Sequence, residues 1–411
     1  MTPTASPLRI HYGWIIVATG SLVLFSCLGL ARYAYTMLLP GMQAGLGLAY
    51  KQMGFIGTAN FSGYLVSVLL APTLIRRFHP RAVITTGLVL ISVCMLAISR
   101  CNGFYPVAVL YTLVGLGGGF ANIPMMALVT YWFRSEQRGK AAGLVIGGNG
   151  AAIIFAGFLI PLLNRCYGTE GWRSGWLVLG LISLVVTACA ATLLRNHPSE
   201  LGLEPVGAPV PVSDGQLRPC ERRGDGLILL RLGLLYLVFG ATFMVYGTFI
   251  VTTMVREYGF SEAKAGLYWS WVGFFSLFSG VGFGALSDRI GRRHGLALVF
   301  GVQTMAYALA GIKPGTAGLV VSIVLYGLAV FAIPAIMAAA IGDYLGLSRA
   351  ATAFATVTIF FAAGQTIGPA GAGLIAGTTG TFTTAYLLAA LLTACAALFA
   401  ATLPAPAANR D

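Results

Sequence analysis

One arginine stands inside the first long apolar run of the sequence, and its side-chain chemistry needs an explanation. Arg32 lies in the stretch from Leu28 to Pro40, which is otherwise uncharged. A guanidinium stays protonated in proteins, so inside a membrane-spanning helix it costs several kcal/mol unless it faces water, a protein partner or an anion. A carboxylate is its natural complement, because the two groups form charge-assisted, two-point hydrogen bonds. The residue type therefore predicts an anion-binding site.

The position of Arg32 allows two placements. It lies 19 residues after Gly13, or roughly 28 Å along an ideal helix, which is deep enough for the side chain to snorkel to the far membrane surface. In the alternative placement it faces an internal cavity. Tyr35 and Thr36 share its helical face at i+3 and i+4. A mixed polar and aromatic face suits a cavity better than lipid.

The composition identifies an integral membrane protein. The 411 residues are 57% hydrophobic and 9% charged, and their mean hydropathy is +0.84. Runs of about 20 apolar residues recur along the chain, which is the length of a membrane-crossing helix. The predicted fold is all-α with twelve spans, whose approximate limits are 13–40, 52–75, 82–100, 104–133, 140–164, 173–194, 228–255, 263–287, 295–312, 316–342, 350–376 and 382–403.

The polar segment between the sixth and seventh spans divides the chain. We predict an N-terminal six-helix bundle over 1–194, a cytoplasmic linker over 195–227 and a C-terminal six-helix bundle over 228–411. A shift of 212 residues, from 76 to 288, lays Arg77 on Arg289 and Arg81 on Arg293. Six is an even number of spans, so the halves are predicted to be parallel repeats with a substrate path between them.

The basic residues predict the orientation. Most of them fall in loops on the side that holds both termini, and such loops face the cytoplasm. We therefore expect a multi-pass protein of the cytoplasmic membrane with both termini inside. This distribution accounts for the formal net charge of +13 without nucleic acid as a partner.

The acidic residues and histidines constrain the mechanism. All of them lie in predicted loops or at span ends, so the predicted membrane core offers no evident proton carrier. Asp343, at the end of the tenth span, is expected to pair with Arg349. No nucleophile occurs beside a base and no metal-ligand cluster is evident, so we expect neither an enzyme nor a metal site nor a cofactor.

Other polar and aromatic side chains in the predicted spans are candidate substrate contacts. Amides inside a membrane also serve as interhelical hydrogen-bond partners, and aromatic side chains also pack, so both roles stay open. With Arg32 and Tyr35, the predicted substrate-binding set comprises Asn60, Tyr64, Asn122, Asn149, Tyr246, Trp271 and Gln365. Trp269 is an alternative to Trp271.

A short loop in the second half carries a dense motif. Its residues Gly284, Asp288, Arg289, Gly291, Arg292 and Arg293 join the eighth and ninth predicted spans. This run resembles the G-x-L-x-D-R-x-G-R-R signature of the major facilitator superfamily. A carboxylate among arginines can latch to a neighbouring helix end and release, so we interpret the motif as structural or gating. The first-half loop departs from the signature, since Arg76 occupies the position of Asp288.

The resemblance to this superfamily covers the whole chain and implies a carrier that works by alternating access. Stretches around His11–Trp14 and Asn196–Leu203 resemble monocarboxylate and oxalate:formate carriers, and Leu30–Pro40 and Gly139–Asn149 resemble the YbfB/YjiJ-like branch. Arg32 with Pro40 also resembles the anion:cation symporters. The predicted substrate is a small organic anion, most simply a monocarboxylate, carried by a monomer. Efflux of amphipathic compounds is one alternative, and a non-transporting sensor or assembly partner is another.

Overall fold

The computed structural model describes residues 11–207 and 225–404, and within these ranges the regular structure is helical apart from one isolated β-bridge between Phe133 and Val206. Ten stretches in these ranges are long and apolar enough to cross a membrane. The helices are α1 (Tyr12–Leu46), α2 (Tyr50–Ile98), α3 (Phe104–Trp132), α4 (Ser135–Tyr167), α5 (Gly171–Leu193), α6 (Asp225–Arg256), α7 (Glu262–Ile290), α8 (Arg292–Ile312), α9 (Thr316–Leu345), α10 (Leu347–Thr379) and α11 (Thr383–Ala401). We call residues 12–193 the first half and 225–401 the second half.

Helix α2 contains the predicted second and third spans in one run of 49 residues. The sequence predicts a loop at 76–81, whereas the helical assignment continues through it. The direction of the chain changes at His79, whose backbone has φ 62° and ψ 154°. Pro80 follows and has no N–H for a helical hydrogen bond. The break therefore lies inside the loop that the sequence predicts.

Two helices are irregular near the centre of the molecule. In α1 the segment Phe25–Tyr33, which contains Arg32, is π-helical. Helix α9 is interrupted at Val330 and Phe331, between its parts Thr316–Ala329 and Ala332–Leu345. The two irregular segments face each other across the halves, since the rings of Tyr33 and Phe331 lie 6.2 Å apart. π-Helical turns are rare and occur frequently at functional sites.

The two halves meet closely at one end of the molecule, which we call the sealed end. There the Thr58 hydroxyl of α2 donates to the Thr366 carbonyl of α10 at 2.7 Å. The Asn164 amide of α4 donates to the Glu262 carboxylate at the start of α7 at 2.5 Å. Direct hydrogen bonds between halves thus link both helix pairs, α2 with α10 and α4 with α7.

The contact between α4 and α7 loosens steadily towards the other end, which we call the open end. A β-carbon added to Gly157 would lie 2.5 Å from the Gly266 carbonyl oxygen, and one added to Gly150 would lie 3.0 Å from that of Gly273. At Gly147 the nearest side chain is 3.9 Å away, and at Gly143 no heavy atom of the described residues lies within 4 Å. The two helices therefore diverge towards the open end.

The chain leaving α5 packs back onto the first half. The Arg134 amide donates to the Val206 carbonyl, and the Val206 amide donates to the Trp132 carbonyl, each at 2.9 Å. The start of the predicted linker is thereby fixed to the junction of α3 and α4. Residues 208–224 of that linker lie outside the described residues, as do 1–10 and 405–411, which hold both predicted cytoplasmic termini.

Candidate functional site

Arg32 is buried in the protein interior and does not snorkel to a surface. Its residue surface is 8% exposed. The guanidinium carbon lies 4.5 Å from the ring centroid of Tyr64 and 4.8 Å from that of Phe61, both on α2. Each cation–π contact contributes about 0.5–2 kcal/mol, depending on desolvation. These rings partly replace water around the charge, so the cavity-facing placement is the one found.

The Arg32 charge has no carboxylate partner among the residues that the structure describes. The salt bridges in those ranges all involve other cations, and its Nε has no hydrogen-bond partner. A buried guanidinium whose Nε has no partner keeps hydrogen-bonding capacity that a bound anion can use.

Arg32 borders a cavity of about 10 Å³, roughly the space of one water molecule. Both halves contribute to its wall, which consists of Arg32, Tyr33, Tyr35, Thr36, Gly57, Asn60, Phe61, Tyr111, Met244, Gly247 and Thr248. The Thr36 hydroxyl closes it on one side by donating to the Gly247 carbonyl at 2.5 Å. A substrate larger than water therefore requires the halves to separate here.

Two of the predicted amide contacts lie in the first half near this cavity. Asn60 lines it, donates from Nδ2 to the Tyr111 carbonyl at 3.1 Å, and has an unpartnered Oδ1. Asn122 donates to the Tyr64 hydroxyl at 3.1 Å and so acts on the ring that covers Arg32. Arg32, Asn60, Tyr64 and Asn122 are therefore brought together, as the sequence analysis requires of a common site.

Tyr35 lines the cavity as predicted, but its hydroxyl is already engaged. It donates to the Met53 carbonyl at 3.0 Å, and its ring packs 4.9 Å from that of Tyr111. The Tyr35 hydroxyl is therefore not a free donor at the cavity. Its role as a substrate contact stays a prediction.

Tyr64 and Asn122 lie near this cavity without lining it, and the remaining four predicted contacts do not line it either. Tyr246 points into the second half, where its hydroxyl lies 2.8 Å from that of Ser322 and its ring stacks on Tyr326. Trp271 is 37% exposed, whereas Trp269 is buried. Asn149 and Gln365 are buried with unpartnered side-chain oxygens. Their part in binding a substrate is untested and stays a prediction.

Sequence reasoning missed Phe61, Tyr33 and Met244. Each looks like an ordinary core residue in an apolar span, and nothing in the local pattern separates Tyr33 and Met244 from packing positions. One signal was available for Phe61, because it lies three residues before Tyr64 and the two therefore share a helical face. The contribution of Met244 follows only from the way the halves meet.

The motif between α7 and α8 forms an ion-pair cluster at the open end. Arg292 pairs with Asp288 on α7 and with Asp343 on α9, the latter at 2.6 Å. It also donates to the Ser287 hydroxyl at 2.8 Å. Gly291 has φ 88°, a backbone conformation that favours glycine. One arginine thus ties three helices of the second half together.

The remaining motif residues have simpler surroundings. Arg289 is exposed and Arg293 is half-buried. A β-carbon added to Gly284 would meet no heavy atom of the described residues within 4 Å. Their gating role stays a prediction.

The expected pairing of Asp343 with Arg349 is wrong. Asp343 pairs with Arg292, and Arg349 donates to Asp225 at 2.7 Å. The reason is geometric. Arg349 lies in the first turn of α10, beside the start of α6 and Asp225. Asp343 lies near the end of α9, which is beside Arg292 at the start of α8. The prediction relied on nearness in sequence and therefore assigned the wrong partner to both residues.

The helical fold, the buried cation between two halves and the loop motif define a membrane transporter of the major facilitator superfamily. The chain belongs to that superfamily, since the model of the family "Uncharacterised MFS-type transporter YbfB" matches residues 24–401. Members of this family are transporters and not enzymes, and the chain is accordingly a multi-pass membrane transporter of small molecules.

Named relatives and solved structures agree with this assignment. Monocarboxylate transporter 4 of Rattus norvegicus is 24% identical, with 92% of this chain and 80% of that protein covered. The hexuronate transporter of Bacillus subtilis (strain 168) is 22% identical, with 90% and 89% covered. The bacterial homologue of the human lysosomal transporter Spinster, in an inward-facing and occupied conformation, has a TM-score of 0.73 and 15% identity over 95% of each chain.

Proposed function

We propose that this protein carries a small organic anion, most simply a monocarboxylate, across the cytoplasmic membrane, with Arg32 as the group that binds the anion. The observation behind the proposal is the buried guanidinium, which lies over two rings at the interface of the halves and lacks a carboxylate partner in the described ranges. The names of two relatives, a monocarboxylate and a hexuronate transporter, indicate anionic substrates for those proteins and support the same class here.

The proposed topology has twelve crossings in two six-helix bundles, 1–194 and 228–411, joined by a linker over 195–227. Helix α2 is 49 residues long, or about 74 Å of helix, more than twice the roughly 30 Å of a bilayer core. Its break at His79 supports two crossings. The stretch Glu136–Leu193 contains α4 and α5 and supports two more. The open end, with Arg292 and Arg134, is proposed to face the cytoplasm, as are both termini.

The proposed mechanism is alternating access by a monomer. The hydrogen bonds at the sealed end and the divergence of α4 and α7 towards the open end support this proposal. Within the predicted spans no Asp, Glu or His lies away from the ends. We therefore infer that the carrier exchanges anions or moves a monoanion together with a proton bound to the substrate itself.

Counterflow in proteoliposomes tests the proposal. The purified full-length chain is reconstituted into liposomes loaded with unlabelled propanoate, and the entry of labelled propanoate is measured. We expect Arg32→Gln to abolish counterflow and Arg32→Lys to retain a small part, since an ammonium keeps the charge and loses the two-point geometry. The matched control is Arg100→Gln, which removes an exposed guanidinium at the end of α2.

Two results would contradict the proposal. The first is uptake of an uncharged solute that proceeds equally in the wild type and in Arg32→Gln. The second is thermal stabilisation of the purified protein by amines while carboxylates have no effect.

A further inference from the structure

We propose that Asn60 makes the site selective for anions that carry a hydroxyl group next to the carboxylate. This inference rests on the proposed function and concerns which anions Arg32 accepts. Asn60 is 2% exposed and lines the same small cavity as Arg32. It presents a hydrogen-bond acceptor that nothing in the described protein satisfies.

The orientation of the Asn60 amide is fixed by its surroundings. The two ends of an asparagine amide are distinguished by their hydrogen-bond partners. Nδ2 donates to the Tyr111 carbonyl at 3.1 Å, and a carbonyl accepts only from a donor. The oxygen Oδ1 is therefore the atom without a partner. Exchanging Oδ1 and Nδ2 would place Oδ1 against the Tyr111 carbonyl oxygen.

The backbone around Asn60 is also held tightly. A β-carbon added to Gly115 of α3 would lie 2.7 Å from the Asn60 carbonyl carbon and 3.0 Å from its α-carbon. Only glycine permits this approach of α2 and α3. The Asn60 backbone is therefore held in place, and its side chain, anchored through Nδ2, keeps an oxygen without a partner.

Two of the hydroxyl donors on the cavity wall are engaged elsewhere. Tyr35 donates to the Met53 carbonyl and Thr36 to the Gly247 carbonyl. Arg32 Nε is itself an unpartnered donor on the same wall. Arg32 Nε and Asn60 Oδ1 are thus a cationic donor and a neutral acceptor that both lack a partner. A molecule that satisfies both has a carboxylate for Arg32 and a hydroxyl that donates to Asn60 Oδ1.

This chemistry discriminates among monocarboxylates of equal length. A 2-oxo acid would set its carbonyl oxygen against Asn60 Oδ1, and an unsubstituted acid would leave Oδ1 unpaired. A site built to bind a substrate hydroxyl rejects analogues that lack it strongly, because its buried polar group then stays unsatisfied. We expect the 2-hydroxy acid to be preferred by about tenfold or more.

The test compares three probes of equal carbon number: propanoate, 2-hydroxypropanoate and 2-oxopropanoate. Counterflow of each is measured with the reconstituted full-length chain as kcat/KM. Asn60→Leu removes the acceptor while keeping the branching and the number of side-chain heavy atoms, and Asn60→Ser provides a smaller second variant. The matched control is Gln303→Leu. Gln303 is fully buried, donates to the Ala329 carbonyl, has an unpartnered Oε1 and lies outside this cavity.

We expect both Asn60 variants to bring the preference for 2-hydroxypropanoate over 2-oxopropanoate to within about twofold of unity, while Gln303→Leu keeps the wild-type ratio. Size-exclusion profiles confirm that the variants fold. The proposal is overturned if the wild type shows no preference or if folded, active Asn60 variants keep it. An unchanged ratio would mean that an internal water satisfies Oδ1.

The outcomes separate this inference from the proposed function. If Arg32→Gln abolishes counterflow of all three probes but the Asn60 variants keep the wild-type ratio, selectivity by Asn60 is wrong and anion transport stands. Both proposals fall if Arg32→Gln transports all three probes as the wild type does. Both also fall if the wild type transports none of the probes and none of them stabilises it thermally.

Discussion

Helices α1 and α6 occupy equivalent places in the two halves, yet only α1 brings a charge to the cavity. The 212-residue shift lays Arg32 on Met244 and Thr36 on Thr248, and all four residues line the cavity. The local backbone differs as well, since α1 is π-helical over Phe25–Tyr33 while α6 is a regular helix. Positions that correspond under this shift thus differ, since one carries a charge and the other supplies apolar surface.

The surroundings of the two positions diverge in the same way. The same shift lays Phe61 on Gly273 and Tyr64 on Ser276, so the second half has no rings at the places that cover Arg32. Gly273 instead permits close packing of α7 against Gly150 of α4. In the first half these positions support a buried cation, and in the second half they hold the two halves together.

The largest expected effect comes from replacing Arg32 with the residue at the corresponding position of the second half. Arg32→Met copies the second-half residue and removes the two charge-assisted hydrogen bonds that we propose for the anion, each contributing about 1.5–3 kcal/mol. Anion counterflow should therefore fall by about 100-fold or more. Met244→Leu, which keeps the apolar character, should change it by less than about threefold. Similar losses in both variants would show that the cavity depends on its shape and not on the charge.

A smaller effect is expected from removing one ring over the cation. Phe61→Leu should destabilise the wild type more than it destabilises Arg32→Met, with a coupling of about 0.5–2 kcal/mol between residues 61 and 32. A double-mutant cycle on the unfolding of the detergent-purified protein measures this energy. Phe249→Leu, which removes a ring stacked on Phe382 in the second half, is the control and should show no coupling to Arg32. Zero coupling at Phe61 would count against the cation–π contact.

The smallest effect is expected at the two loops that differ between the halves. Arg292→Gln should slow counterflow about two- to fivefold, because it releases α7 and α9 from α8. The effect is small because the partners Asp288 and Asp343 are 61% and 44% exposed, so that water screens both ion pairs. The first-half loop has the exposed Arg76 at the position of Asp288 and so lacks the carboxylate of the motif. Arg76→Gln should therefore leave the counterflow rate unchanged. Initial counterflow rates at equal protein density decide this. Equal slowing in both variants would remove the distinction between the loops.

Hydropathy and charge were sufficient to predict much of the architecture. The predicted span 104–133 is found as Phe104–Trp132, and the predicted span 295–312 as Arg292–Ile312. The predicted loop at 76–81 is instead a break within a continuous helical assignment, because a single residue, His79, makes the turn. The described residues contain ten apolar stretches, so the count of twelve crossings stays a prediction.

The sequence predicts those site residues whose charge or polarity stands out within an apolar run. Arg32 and Asn60 stand out by residue type, and both line the cavity. The π-helical segment was not predictable, since its sequence Phe25–Tyr33 is ordinary for a helix. Partners distant in sequence, such as Arg292 with Asp343, depend on how helices pack and were missed for that reason.

The rings that cover Arg32 belong to α2, the next helix in the chain, and this has a consequence for membrane insertion. An isolated first helix would bear the full cost of its buried charge in lipid. Phe61 and Tyr64 emerge from the ribosome about 30 residues later and can cover the guanidinium once α2 inserts beside α1. The groups that shield the charge thus lie in the first half, which is synthesised before any part of the second.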